Sequence, residues 1–181
     1  MSIRYLIPAA LIGFAALAVA FVSTDKHDST PVVTATTSDN SAAASIQWMS
    51  WEDAVAANAS TPKRLIVDVY TDWCGWCKRM DATTFKDPKV AAYIAENFYA
   101  VKLDAEQTED IVYDGNTFTY QRAGRRGVHQ LAASLLDNRL SYPSIVYLNG
   151  AMERIMISPG FKDADALLKE LRFANGEGEK P

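Results

Sequence analysis

Cysteine and histidine are scarce in this 181-residue chain, two of each, and the scarcity narrows the chemistry. A zinc site takes about four ligands. Beyond Cys74 and Cys77 only His27 and His129 are on offer, which argues against a metal centre. Covalent haem attachment wants a histidine directly after Cys-x-x-Cys, and Lys78 stands there instead. A structural disulfide between Cys74 and Cys77 would close a four-residue ring and restrict the unfolded chain very little. An excess of positive charge is missing as well. The net charge is −4 and charged residues make up 22% of the chain, so neither nucleic acid nor a strong membrane-surface field is indicated. No internal repeat is present.

Long apolar runs are confined to one place. After Arg4, residues Tyr5 to Val22 carry no charge and are interrupted only by Pro8 and Gly13. A positive end followed by such a run is an export signal. Ala18-Val19-Ala20 offers a cleavage site, while a run of about 18 residues is also near the lower limit for spanning a bilayer. Residues 1–22 are therefore read as a signal peptide or a signal anchor, and the chain as exported and periplasmic, either soluble or tethered to the inner membrane. Residues 23–45 are rich in Ser, Thr, Ala and Asp and poor in large apolar side chains. They read as a disordered linker. Residues 46–174 form the one domain, and 175–181 a polar, disordered tail.

Within the domain, Ser50 followed by Glu52 and Asp53 predicts a helix start that continues to about Ala59. Leu65 to Tyr70 is a nearly continuous apolar run rich in β-branched residues, which is how a strand buried on both faces reads. A helix should open around Cys74 and run to about Phe85. Asp87-Pro88 supplies an N-cap and a proline at the first helical position for another, ending at Asn97. Tyr99 to Leu103 is a second strand. Ile111–Tyr113 and Thr117–Tyr120 flank Asp114-Gly115-Asn116 as a hairpin. A Gly-rich loop at Gly124–Gly127 leads into a helix over Val128–Leu136. Ser144 to Leu148 is a third core strand, turned at Asn149-Gly150 onto an antiparallel partner at Met152–Ile157. Asp163 to Phe173 is the last helix, with Leu167, Leu168 and Leu171 inward.

The two cysteines carry the chemistry. A buried strand, a short turn and a Cys-x-x-Cys that opens a helix place the first sulfur where free backbone N–H groups point outward. Those dipoles stabilise a thiolate. The second sulfur lies one helical turn in, within bonding reach. A cysteine so placed can have its pKa lowered from about 8.5 to between about 3.5 and 7.5. Asp68 stands inside the apolar strand, where a carboxylate is costly to bury unless paired or protonated. Its raised pKa would suit a proton acceptor for Cys77. Lys102 can pair with it from the neighbouring strand.

The stretch Val67-Asp68-Val69-Tyr70-Thr71-Asp72-Trp73-Cys74-Gly75-Trp76-Cys77-Lys78 resembles the active-site segment of the thioredoxin superfamily. Val101–Asp104, Tyr142-Pro143-Ser144 through Gly150, and Gly160 extend the likeness over residues 46–174. Exported bacterial thioredoxin-like proteins are the branch it resembles best. The resemblance implies an α/β thioredoxin fold, a central mixed sheet flanked by helices. A hairpin-plus-helix segment is inserted before the strand that carries Pro143 as a cis-proline. It also implies Cys74 as nucleophile, Cys77 as resolving thiol, Asp68 as base, and Tyr142, Trp73, Gly75 and Trp76 as the substrate-facing rim, with no cofactor beyond the cysteine pair; Trp73 reads equally as a core residue. Trp76 departs from the proline common at that place, and the segment Ala105–Ser141 is longer than in thioredoxin.

The expected activity is a thiol–disulfide oxidoreductase that reduces disulfides of exported proteins. The alternatives are an oxidase or isomerase, or a non-catalytic thioredoxin-fold binding module. Partners would be protein disulfides or dithiols and a membrane-embedded thiol electron donor. His129 reads as a surface or capping residue, and Arg122, Arg125 and Arg126 as a solvated basic loop.

Overall fold

A computed structural model describes residues 45–181. The signal and linker segments read from the sequence lie outside the described residues, except Ser45. Five strands form the central sheet: β1 (Trp48–Met49), β2 (Arg64–Tyr70), β3 (Phe98–Asp104), β8 (Ser144–Leu148) and β9 (Arg154–Pro159), in the order β1-β3-β2-β8-β9. The first three run parallel, and β8 and β9 are antiparallel to their neighbours. Helices α1 (Trp51–Ser60), α2 (Gly75–Ala82), α3 (Pro88–Asn97), α4 (Gln130–Leu135) and α5 (Ala164–Ala174) cover its faces.

The sheet is central because β2 is apolar on both sides. Leu65, Val67 and Val69 pack with Trp51, Ala54, Leu131 and Leu135 on the α1/α4 face. Ile66 packs on the opposite face with Met80, Phe85, Ile94, Leu167 and Leu171, from α2, the turn that follows it, α3 and α5. The caps fall where the sequence puts them. The Ser50 hydroxyl accepts from the Asp53 N–H at 3.0 Å, and Asp87 accepts from the amides of Lys89 and Val90. α2 ends at Ala82, and a 3₁₀ turn at Thr84–Lys86 replaces its expected last turn.

The strand β1, two residues long and too short to leave a signal in the sequence, forms the edge beside β3. Three expectations are corrected. The supposed Gly-rich loop is the turn of a second hairpin. β6 (Tyr120–Ala123) pairs with β7 (Arg126–His129), so helix α4 starts only at Gln130. The first hairpin is β4 (Ile111–Tyr113) with β5 (Asn116–Phe118), turned by Asp114 and Gly115, both at positive φ. Thr119 and Tyr120 therefore lie outside it. Finally, the start of the C-terminal tail is anchored. Asn175 binds Arg64 and the Tyr93 hydroxyl, which in turn donates to Glu177.

Gly127 in β7 is the residue that lets the second hairpin close. A Cβ there would collide with the Gln121 carbonyl and the Tyr120 ring. Gly127→Ala should open this hairpin at a cost of about 1–3 kcal/mol. Trypsin would then cut at Arg125 and Arg126 faster than in the wild type, and an unchanged cleavage rate would refute the close fit.

Candidate active site

Strand β2 delivers the site. It pairs along its length with β3, and from Leu65 to Val69 with β8. Beyond Tyr70 the chain makes a turn in which the Cys74 N–H donates to the Thr71 carbonyl at 3.1 Å. Cys74 is the N-cap of α2, and its sulfur accepts from the Cys77 N–H at 3.1 Å. The two cysteines are joined in a disulfide. Helix dipole and amide both point at the Cys74 sulfur, the arrangement that favours a thiolate once the bond is reduced.

Both sulfur-bearing residues are nearly covered, Cys74 at 5% and Cys77 at 2% exposure. The tryptophans beside them are not: Trp73 is 51% exposed and Trp76 57%. The core position considered for Trp73 is thereby ruled out. Trp73 meets the Tyr142 ring edge-on at 6.0 Å and carries the Arg126 guanidinium over its face at 4.2 Å. Trp76 lies against Phe161 at 5.4 Å, with the Arg79 guanidinium 5.5 Å and 5.7 Å from the two rings. Above Gly75 the space is open.

Tyr142–Pro143 is a cis peptide bond, with Pro143 buried. The register Val69↔Ser144 sets this bond level with the Thr71–Cys74 turn, and the Pro143 carbonyl accepts from the Gly160 N–H at 2.8 Å. Pro143, Tyr142, Trp73, Gly75 and Trp76 are thus gathered at one end of the sheet around the disulfide.

Asp68 points to the α2 side of the sheet, the face of Ile66, by strand alternation. It is 1% exposed. Its Oδ2 pairs with Lys102 Nζ at 2.7 Å, across the register Asp68↔Lys102, and Oδ1 has no hydrogen-bond partner among the described residues. Lys102 also pairs with Asp81 of α2. Cys77 and Asp81 are four residues apart and so share a helix face, which brings the resolving sulfur's side of α2 over this charge cluster. Burial raises the Asp68 pKa to about 6 against the lowering effect of Lys102. Burial alone would lower Lys102, but the paired carboxylates of Asp68 and Asp81 outweigh it and hold its pKa above the usual lysine value. The ammonium also lies 4.9 Å from the Tyr70 ring, 5.0 Å from Trp48 and 5.4 Å from Phe85.

Asp81, Arg79 and Phe161 were not singled out in the sequence. The i, i+4 spacing of Asp81 from Cys77 was the one available signal. His129 is a capping residue as expected, its Nδ1 accepting from the Leu131 N–H at 3.3 Å, but it is wholly buried and not at the surface. Its backbone N–H bonds the Ala105 carbonyl at 2.7 Å and draws it inward. Arg126 is likewise more than a solvated residue, since it stacks on Trp73 and lies 3.9 Å from Glu106.

The family model Thioredox_DsbH, described as "Protein of unknown function, DUF255", matches residues 34–170. Among curated proteins, 59 residues are 39% identical to the thiol:disulfide interchange protein DsbD of Ralstonia nicotianae. That match covers 33% of this chain and 9% of the relative, so the chain spans a small fraction of that protein's length. A solved structure of DsbH oxidoreductase superposes with a TM-score of 0.54 at 16% identity, covering 85% of this chain and 95% of the other. A thioredoxin from Thermus thermophilus gives 0.53 at 20% identity, covering 71% and 86%. With most of its length matched by that family model, and with a Cys-x-x-Cys disulfide opening a helix beside a cis-proline strand, this chain belongs to the Thioredox_DsbH family and is a disulfide oxidoreductase of the thioredoxin fold.

Proposed function

We propose that the chain acts as a reductase of disulfides in exported proteins, with Cys74 as nucleophile, Cys77 as resolving thiol and Asp68 as the base that frees Cys77. The observation that carries this reading is the Cys74 sulfur at the head of α2, bonded to Cys77 and hydrogen-bonded by its amide. In the reaction, the Cys74 thiolate attacks one sulfur of the target disulfide, and the other sulfur leaves as a thiolate and takes a proton. Cys77, losing its proton to the Asp68 carboxylate, then attacks Cys74 and releases the second target thiol. Two electrons pass to the target and the Cys74–Cys77 bond re-forms. The Tyr142 backbone would pair with an extended target beside Pro143, and Trp73, Gly75 and Trp76 would border it.

An exported reductase sits in an oxidising compartment and must be re-reduced, so a membrane-embedded thiol donor completes the reading. The apolar run after Arg4 supports an extracytoplasmic place. Among the described residues no helix is long and apolar enough to cross a membrane. Direction is set by potential, and about 30 mV moves the two-electron equilibrium tenfold. Equilibrating the couple with glutathione should give a value below about −180 mV. A value well above it would reassign the protein as an oxidase or isomerase.

A further inference from the structure

The two sides of the disulfide are not alike. On the Trp73 side the cation Arg126 already has Glu106 beside it, and Asp104 is nearby, since both carboxylates help to raise the Tyr142 pKa after its burial. On the Trp76 side the cations are unspent. Arg79 and Lys86 make no ion pair among the described residues, in a chain whose net charge is −4. They line a cavity of about 600 Å³ together with Thr83, Thr84 and Phe161. The two carboxylates on its wall, Asp87 and Asp163, are committed as N-caps. Asp87 accepts from Lys89 and Val90, and Asp163 accepts from Ala166 at 2.8 Å.

This cavity is continuous with the site. Gly160, bonded to the Pro143 carbonyl, is followed by Phe161; Phe161 touches Trp76; and Arg79 lies over both rings. The two rings hold the guanidinium in place at the mouth, leaving planar N–H donors for a ligand. A guanidinium fixed in this way suits bidentate recognition of a carboxylate, which a mobile lysine matches less well.

Resting on the reductase reading, we propose that Arg79, supported by Lys86, selects target polypeptides that carry an Asp or Glu next to the disulfide cysteine. The acidic side chain seats at the mouth of the groove while the neighbouring backbone lies along the Tyr142–Pro143 segment. Arg79 is then a specificity-determining residue, and the groove is the second half of the target site.

The test uses the full chain, pre-reduced with dithiothreitol and desalted. It is mixed with three peptide disulfides that differ only in carrying Glu, Gln or Lys beside the cysteine, and the rates are read from tryptophan fluorescence. The wild type should react with the Glu peptide roughly three- to tenfold faster than with the Gln peptide at low ionic strength, and the margin should shrink as salt is added. In Arg79→Gln the Glu/Gln ratio should fall to about one, and Arg79→Lys should restore it only in part. A wild-type ratio at or below one, or an Arg79→Gln ratio unchanged from wild type, overturns the proposal and leaves the exchange reading standing. No reaction with any of the three peptides removes both readings together.

Discussion

Cys74→Ser is expected to reduce the rate of disulfide exchange by roughly a thousandfold or more, whereas Cys77→Ala should stop the reaction halfway. The difference follows from position. Cys74 caps α2 and has the Cys77 amide directed at its sulfur, so once reduced it is the thiol whose anion the helix terminus stabilises. A serine there lacks an accessible anion near neutral pH, and loss of a nucleophile costs orders of magnitude in turnover. Cys77 lies inside the helix and not at its cap, so its own anion lacks that stabilisation by the helix terminus. Without Cys77 the captured target cannot be released, and a covalent adduct through Cys74 should build up on non-reducing gels. Adducts that form equally well in Cys74→Ser would reverse the assignment, and a Cys77→Ala protein that captures nothing would reduce the chain to a binding module.

Asp68→Asn should make the protein more stable and less active, with both effects dependent on pH. Asp68 is protonated in the folded state up to about pH 6, against an ordinary value of 3.8 in the unfolded chain. Below pH 3.8 it carries no charge in either state and costs nothing. As the pH rises toward 6 the unfolded chain ionises while the folded one resists, and stability is lost through that window. Above it the full difference applies, about 3 kcal/mol for a carboxylate this deeply buried. Asparagine has no proton to lose, so the variant should gain roughly that amount over wild type at pH 8 and almost nothing at pH 4. Lys102 keeps Asp81 as counter-charge in the variant. The resolving step should slow roughly ten- to a hundredfold at neutral pH for want of a base. Urea unfolding of the oxidised protein at the two pH values is the measurement. A stability gain of equal size at both would show that packing, not ionisation, sets the difference.

Much of this was legible because β2 and its flanking turn obey short-range rules. A β-branched apolar run, a cysteine at a helix start, Asp87-Pro88 and Asp114-Gly115 each report on their own few residues, and the structure places an element at every one of them. Asp68 could be read because a carboxylate inside such a run is an anomaly. Other features were not written locally. β1 has two residues and no alternation, so only its pairing with β3 defines it. Gly124 and Gly127 look like a loop, yet Gly127 is a strand residue whose missing side chain makes room for the Tyr120 ring. Asp81 on an exposed helix gives no sign that it will share a lysine with a buried strand. The ring of Phe161 reaches Trp76 only through the fold, across 85 positions of sequence.

The strand that leads to the reactive pair is firmly inlaid, hydrogen-bonded to a neighbour on each side and covered on both faces. Little in such a setting can bend to meet an incoming bond. The burden of adjustment therefore passes to the other molecule: disulfides in loose loops or unfinished chains can thread themselves into line, while those locked inside a compact core will pass by untouched.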